Sequence, residues 1–372
     1  MQQRIKSVAH SISSAVVLLL SAATASAQSV PVRHAQQVMV QSTAPATAGQ
    51  AIELYVREVS SSAPTEAIPV LFVHGAGTPA EVAFDVPVAG YSWMAYLAER
   101  GFATYATDMT GYGRSQRPAP MADRCNLSEE QQKQEFGDAC AATVATALTT
   151  MESDWHDIDA VVDFLRAKHG VDQVKLVGWS QGGPRTLGYA HGHADKVASV
   201  VVLAPAYNRN AAATAADAPI AGTAITKQSQ QDFLTQWNGQ APCMNQYDPV
   251  VATAVWNEML ASDPIGATWG SGVRRAPRVP TFGWTPTEVA ATTVPVLLAA
   301  GLTDGQVRPD RVRELYADIG SSSKVLVALE CASHNAMWEH GAERLFDASY
   351  QWLHDTTYDG KTSGTFVLKS AK

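Results

Sequence analysis

Beyond its first residues the chain lacks any long apolar run: no later stretch reaches the roughly 20 apolar residues that a membrane-crossing helix needs. It has only four cysteines, none of them in the CxxC spacing of a metal or redox site. Cations are outnumbered, 27 Lys and Arg against 35 Asp and Glu, which argues against nucleic acid or an anionic membrane surface as a partner. No internal repeat is visible, so stacked-repeat architectures are set aside.

What is present is a 372-residue chain, 46% hydrophobic and 17% charged, a balance typical of soluble globular proteins. That length holds one large α/β domain with an insertion, or two ordinary domains. Arg4 and Lys6 precede an apolar run from Ala15 to Leu20, and Ala25-Ser26-Ala27 supplies the small residues that a signal peptidase needs. Residues 1–27 are therefore expected to be a cleavable export signal, directing the protein to the periplasm or the medium; a membrane anchor is the rival, and the run is short for one. Without that segment 25 cations face 35 anions, a formal charge of −10. Residues 28–50, polar and rich in Ala, Gln and Thr, are expected to form a loose leader. In an exported protein an even number of cysteines points to two disulfides rather than free buried thiols. Four cysteines permit three pairings, and the expected scheme joins Cys125 to Cys140, closing a short loop, and Cys243 to Cys331.

From residue 51 strand-like and helix-like segments alternate. Strands are predicted at Ile52–Val59, Ile68–Val73, Phe102–Thr107, Val174–Val177, Ala198–Leu203, Val294–Ala300 and Lys324–Leu329. Helices are predicted at Tyr91–Arg100, Asp154–His169, Gln181–Ala190, Arg308–Ile319 and Ala336–Leu353. Such alternation implies a mainly parallel sheet flanked by helices. Between Pro205 and Thr293 no strand signal appears. That stretch carries helical segments at Gln230–Trp237 and Pro249–Leu260, the latter opened by Asp248 as cap and Pro249 at the first position. The expected organisation is a core in two parts, 51–205 and 294–372, with a helical cap insertion at 206–293 between two late strands. A smaller insertion runs from Arg114 to about Thr150.

Gly178-Trp179-Ser180-Gln181-Gly182 is a G-x-S-x-G pattern where a strand turns directly into a helix. Such a turn strains the serine backbone, crowds the flanking positions so that only glycine fits, and aims the hydroxyl at a helix N-terminus that favours developing negative charge. A serine hydroxyl needs a base to take its proton, and the base needs a third group to orient it. Asp304 follows the strand ending at Ala300, and His334 follows the strand ending at Leu329. Asp310, further along the same loop, is the rival acid. His191 and His193 are rival bases at the far end of the helix after Ser180, and they also form an H-x-H pair lacking a third metal ligand. Val73-His74-Gly75-Ala76-Gly77 ends another strand in a small-residue turn, so the Ala76 N–H is placed to join the Gln181 N–H around an oxyanion. Asp108 is expected to be structural, tying down the Gly111–Gly113 loop.

On these residues, from about Ile68 to Leu353, the chain resembles the α/β-hydrolase superfamily: the His-Gly turn, the Asp108-to-Ser115 loop, the serine elbow, and the late Asp and His match in kind and order. The resemblance implies the α/β-hydrolase fold, a cap in the family's usual position, and acyl transfer, because relatives that open epoxides or displace halide carry an aspartate where this chain has Ser180. A small-molecule carboxylic ester is the expected substrate, with no cofactor or metal. Amides, thioesters and activated carbon–carbon bonds are the enzymatic alternatives, and a non-catalytic exported binding protein is the rival from another class. Trp179 beside the serine, Tyr91 and Trp93 after the oxyanion turn, and Trp256 and Trp284 in the cap are candidate substrate-binding residues; the cap tryptophans read equally well as the cap's own core.

Overall fold

The computed structural model describes residues 30–211, 215–270, 273–275 and 283–370. The expected export signal, residues 1–27, lies outside the described residues. Eleven strands are described: β1 (Val32–Gln41), β2 (Ala51–Ser60), β3 (Val70–Val73), β4 (Thr104–Thr107), β5 (Val174–Trp179), β6 (Val197–Leu203), β7 (Thr226–Gln228), β8 (Val273–Arg275), β9 (Val296–Gly301), β10 (Lys324–Leu329) and β11 (Ser363–Leu368).

Nine of them form one sheet in the order β1-β2-β4-β3-β5-β6-β9-β10-β11. β1 and β2 run antiparallel, as do β2 and β4, and every pair from β4 onward is parallel. The strands β3, β4 and β5 are buried from end to end because helices cover both faces. The helix Met151–His169 shows how the sequence builds that cover. Thr150 and Ser153 form a reciprocal capping box, Gly170 ends the helix in a left-handed conformation (φ 64°), and Ile158, Val161, Val162 and Leu165 turn one face to the sheet. Burying each of those four stabilises the fold by about 1.5–3 kcal/mol.

Four features differ from the sequence reading. The segment expected to be a loose leader contains β1, whose ten residues pair along the whole of β2; only Val38 and Val40 are buried and no apolar/polar alternation runs along the strand, so little hydrophobic signal announces an edge strand. The C-terminal β11 pairs with β10 at the opposite edge and is half exposed for the same reason. The described residues of the expected cap insertion hold helices Gln230–Asn238, Pro249–Ala261 and Pro286–Ala291, and β7 and β8 add a two-stranded antiparallel ladder too short to show a periodicity. Helix Ala336–Leu353 resolves into a 3₁₀ turn, Ala336–Trp338, and a helix Ala342–Asp355, broken at Gly341 (φ 85°).

Both disulfides are formed in the expected pairing, Cys125–Cys140 within the smaller insertion and Cys243–Cys331 between the cap and the loop after β10. The two insertions also hold each other. The Gln131 side chain bonds the Lys227 backbone through both its amide atoms (2.9 and 3.3 Å), and the buried Asp263 carboxylate pairs with Arg117 and Arg274, each at 3.0 Å. No helix among the described residues is long and apolar enough to cross a membrane.

Candidate active site

Ser180 follows directly on β5 and has φ 58°, a left-handed backbone that few side chains adopt. The turn is held by its neighbour strand: Ser180 N–H donates to the Leu203 carbonyl, and the Ser180 carbonyl accepts from Gly183 and Ala206, all at 2.9 Å. Its flanks tolerate no side chain. A Cβ on Gly178 would lie 2.6 Å from the Gly182 carbonyl oxygen, and one on Gly182 would run into the carbonyl of Val73. Gln181 caps the helix Gly182–Gly192, so the hydroxyl stands at that helix's N-terminus.

His334 and Asp304 come from separate loops, after β10 and β9, and meet at 2.9 Å through His334 Nδ1 and Asp304 Oδ2. The other carboxylate oxygen, Oδ1, accepts the N–H groups of Gln306 (2.7 Å) and Val307 (2.8 Å), which fixes the carboxylate plane. Nδ1 donating to a carboxylate leaves Nε2 as the imidazole's acceptor. The ring is steadied from beneath by Trp179, whose Nε1 donates to the His334 carbonyl at 2.8 Å and whose ring lies 5.4 Å from the imidazole. Asp310, the rival acid, is exposed and paired with Arg308, while His191 and His193 sit at the distant end of the helix after Ser180.

Two further groups, Gln240 and Glu339, escaped the sequence reading. Gln240, from the cap, accepts through Oε1 from Gly305 N–H (3.0 Å) and His334 N–H (3.4 Å), joining the acid loop to the histidine. The buried Glu339 carboxylate accepts from Ser333 N–H (2.8 Å), Trp237 Nε1 (2.8 Å) and Gln246 Nε2 (3.1 Å), anchoring the histidine loop to the cap. Neither is foreshadowed by a motif; Glu339 stands five residues past His334 and reads as a surface helix residue.

Below the His74–Gly77 turn, Arg185 donates through Nη1 to the carbonyls of His74 (2.9 Å) and Gly75 (3.0 Å). His74 itself donates from Nδ1 to the Gly75 carbonyl (2.7 Å) and accepts at Nε2 from Met109 N–H (3.1 Å). Burial, with Arg185 nearby, holds its pKa well below the usual histidine value, so the ring stays neutral. Asp108 accepts from Ala80 N–H (2.7 Å) and Arg114 N–H (2.9 Å), and burial raises its carboxyl to about 6.

A cavity of about 270 Å³ opens above Ser180, with Ala76, Gln181 and His334 also on its walls. Trp179, Phe233 and Trp338 form its apolar side. The other aromatic candidates do not line it. Trp93 is fully buried in the core against Phe72 (5.7 Å) and Phe346 (5.5 Å), and Tyr91 packs at the edge of that core. Trp284 lies on the opposite side of the sheet against Tyr207 (5.6 Å), and Trp256 packs behind Phe233 (5.8 Å). Periodicity sorts them: Trp256 continues the buried face Val251, Ala252, Val255 and Met259, and Trp93 shares one with Met94 and Leu97.

A mainly parallel sheet with a serine on a strained strand-to-helix turn at its carboxyl edge, beside a histidine–carboxylate pair from later loops, defines the α/β-hydrolase architecture. A family model described as the alpha/beta hydrolase fold matches residues 68–341, and the chain belongs to that family. Solved structures share the fold at low identity. A serine hydrolase from Cycloclasticus zankles is 14% identical with a TM-score of 0.52, over 87% of this chain and 100% of that one. A thermophilic esterase from Thermogutta terrifontis is 18% identical with a TM-score of 0.52, over 86% and 98%. A bromoperoxidase from Bacillus anthracis is 16% identical with a TM-score of 0.51, over 86% and 100%. The poly(3-hydroxyalkanoate) polymerase subunit PhaC of Allochromatium vinosum is 50% identical over 46 residues, and the match spans 12% of this chain and only 13% of that relative's length.

Proposed function

We propose that the protein is an exported serine hydrolase that cleaves a small carboxylic ester through Ser180, His334 and Asp304. The observation that carries this reading is the 2.9 Å contact of His334 Nδ1 with Asp304 Oδ2, with both Ser180 and His334 facing one cavity. His334 Nε2 takes the Ser180 proton as the oxygen attacks the carbonyl carbon, and Asp304 stabilises the imidazolium that forms. The N–H groups of Ala76 and Gln181 bind the oxyanion. His334 then protonates the departing alcohol, and water repeats the sequence on the acyl-enzyme. The two disulfides support an oxidising destination outside the cytoplasm. The test is active-site labelling: a fluorophosphonate should attach to Ser180 and abolish ester turnover, and an unlabelled but folded protein would defeat the proposal.

A further inference from the structure

The cavity above Ser180 contains no Asp, Glu, Lys or Arg among the described residues. Its polar lining instead includes five side-chain amides: Gln181, Gln228, Gln236, Gln306 and Asn335. Gln236 reaches from the cap to donate through Nε2 to Gln306 Oε1 of the acid loop at 3.1 Å, which sets two of these amides in place as one unit. Gln181 differs from them. It is 3% exposed, lines the cavity, and its Nε2 has no hydrogen-bond partner among the described residues. A buried amide nitrogen left unpaired is destabilising, and in native proteins such a group calls for an explanation; a ligand atom is one. The terminal torsion of a glutamine is soft, so the amide can turn its NH₂ toward the cavity.

We propose that the Gln181 side chain is a specificity determinant that donates to an uncharged oxygen carried by the acyl part of the substrate. The substrate class is then esters of short hydroxy-, alkoxy- or keto-acids without net charge. This rests on the ester-hydrolase reading. Three constraints converge on it. The acyl group becomes bonded to Ser180, the residue next to Gln181, so the glutamine side chain adjoins the first carbons of that group. The volume of about 270 Å³ lies just under the roughly 300–1,000 Å³ of sites for drug-sized ligands, which keeps the acyl chain short. An uncharged amide lining gives a carboxylate or ammonium on the substrate no counter-ion to replace its water. The hydrocarbon of the acyl chain packs on Trp179, Phe233 and Trp338.

The test compares ethyl 3-hydroxybutanoate, ethyl butanoate and monoethyl succinate on the purified protein by pH-stat, in the parent and in Gln181→Leu, with Gln181→Met as a second variant if the first does not fold. The parent should favour the hydroxylated ester over butanoate by about tenfold in kcat/KM, the scale of one net hydrogen bond, and should turn over the succinate monoester worst. Both variants should lower overall turnover somewhat, and the diagnostic is the ratio: it should fall to near one when the amide is gone. A ratio unchanged by the substitution, or a preference for the anionic ester, overturns the inference. If fluorophosphonate labels Ser180 and butanoate is cleaved, that failure leaves the ester-hydrolase reading standing. If no ester is cleaved and Ser180 is not labelled, both fall.

Discussion

Arg185 donates through Nε to Asp154 Oδ2 at 2.7 Å, and both side chains are fully buried. The pair links the helix after Ser180 to the helix Met151–His169, while the same guanidinium holds the His74 and Gly75 carbonyls. It therefore sets the register of the turn that carries Ala76 against the elbow that carries Gln181. Removing either partner strands a buried charge, at about 3–5 kcal/mol. Asp154→Asn and Arg185→Met should each lower stability by that order, and the double variant should lose less than the sum of the two. Denaturant titration checks the energies. Kinetics check the positioning role: Arg185→Lys should lower kcat more than it raises KM, whereas equal kcat in a folded variant would leave the pair a stability device only.

Removing members of the proposed catalytic set should show an order. Ser180→Ala and His334→Ala remove the nucleophile and the proton carrier, and Asp304→Asn removes only the orienting charge. In a serine protease of the same logic the acid cost roughly a hundredfold less than the nucleophile. Asp304→Asn should therefore keep the most activity, and the Ser180→Ala/His334→Ala double variant should be scarcely worse than either single change. Single-turnover rates on one ester decide it, and a Ser180→Ala protein within about tenfold of the parent would end the mechanism.

The disulfides should separate in their effects. Cys243–Cys331 closes 88 residues and Cys125–Cys140 closes 15, so the chain-entropy view gives the longer loop the larger share of a typical 2–4 kcal/mol. Cys331 stands three residues before His334 and has φ 49°, so the bridge also positions the histidine loop. The Cys243→Ser/Cys331→Ser protein should lose turnover at temperatures where it is still folded. The Cys125→Ser/Cys140→Ser protein should mainly melt earlier. Equal activity loss per degree of melting shift in the two would contradict this.

Asp157 should give stability an acid-favouring slope. Burial raises its carboxyl to about 7 in the fold, against a bond from Thr110 N–H at 2.8 Å that favours the ionised form; in the unfolded chain the group titrates near 3.9. Between about pH 4 and pH 7 the native state holds a proton that the unfolded chain has released, so the contribution of this group to stability declines as pH rises and is lost above pH 7. Asp157→Asn should flatten that decline. Urea midpoints at pH 5 and pH 8 in parent and variant test it, and an identical pH difference in both would count against it.

The order of the late acid and histidine was readable because each follows a buried apolar strand, where the chain emerges at one sheet edge. Asp304 and Asp310 share a loop, and only the fold shows that the first meets His334 while the second pairs with Arg308 in solvent. The glycine pattern around Ser180 was readable because a strained turn demands it. β1 and β11 were not, since an edge strand needs few buried residues and carries a weak alternation. Which tryptophans line the cavity was not readable, because an aromatic's type does not say which face of its helix it occupies, although their apolar neighbours do. Arg185, Gln240 and Glu339 each act through contacts with residues 31 to 111 positions away, which no local pattern encodes, even though Glu339 also accepts from the nearby Ser333 N–H.

The cover over Ser180 is fastened at separate points: Cys243 to Cys331, Gln240 to His334, Asp263 to Arg117 and Gln131 to Lys227. A roof so bolted is no swinging door. An enzyme whose door opens on touching an oil–water boundary gains rate abruptly once its substrate exceeds its solubility. On the proposed ester-hydrolase reading, rate should follow dissolved molecules alone, rising to a plateau and staying there as emulsion forms.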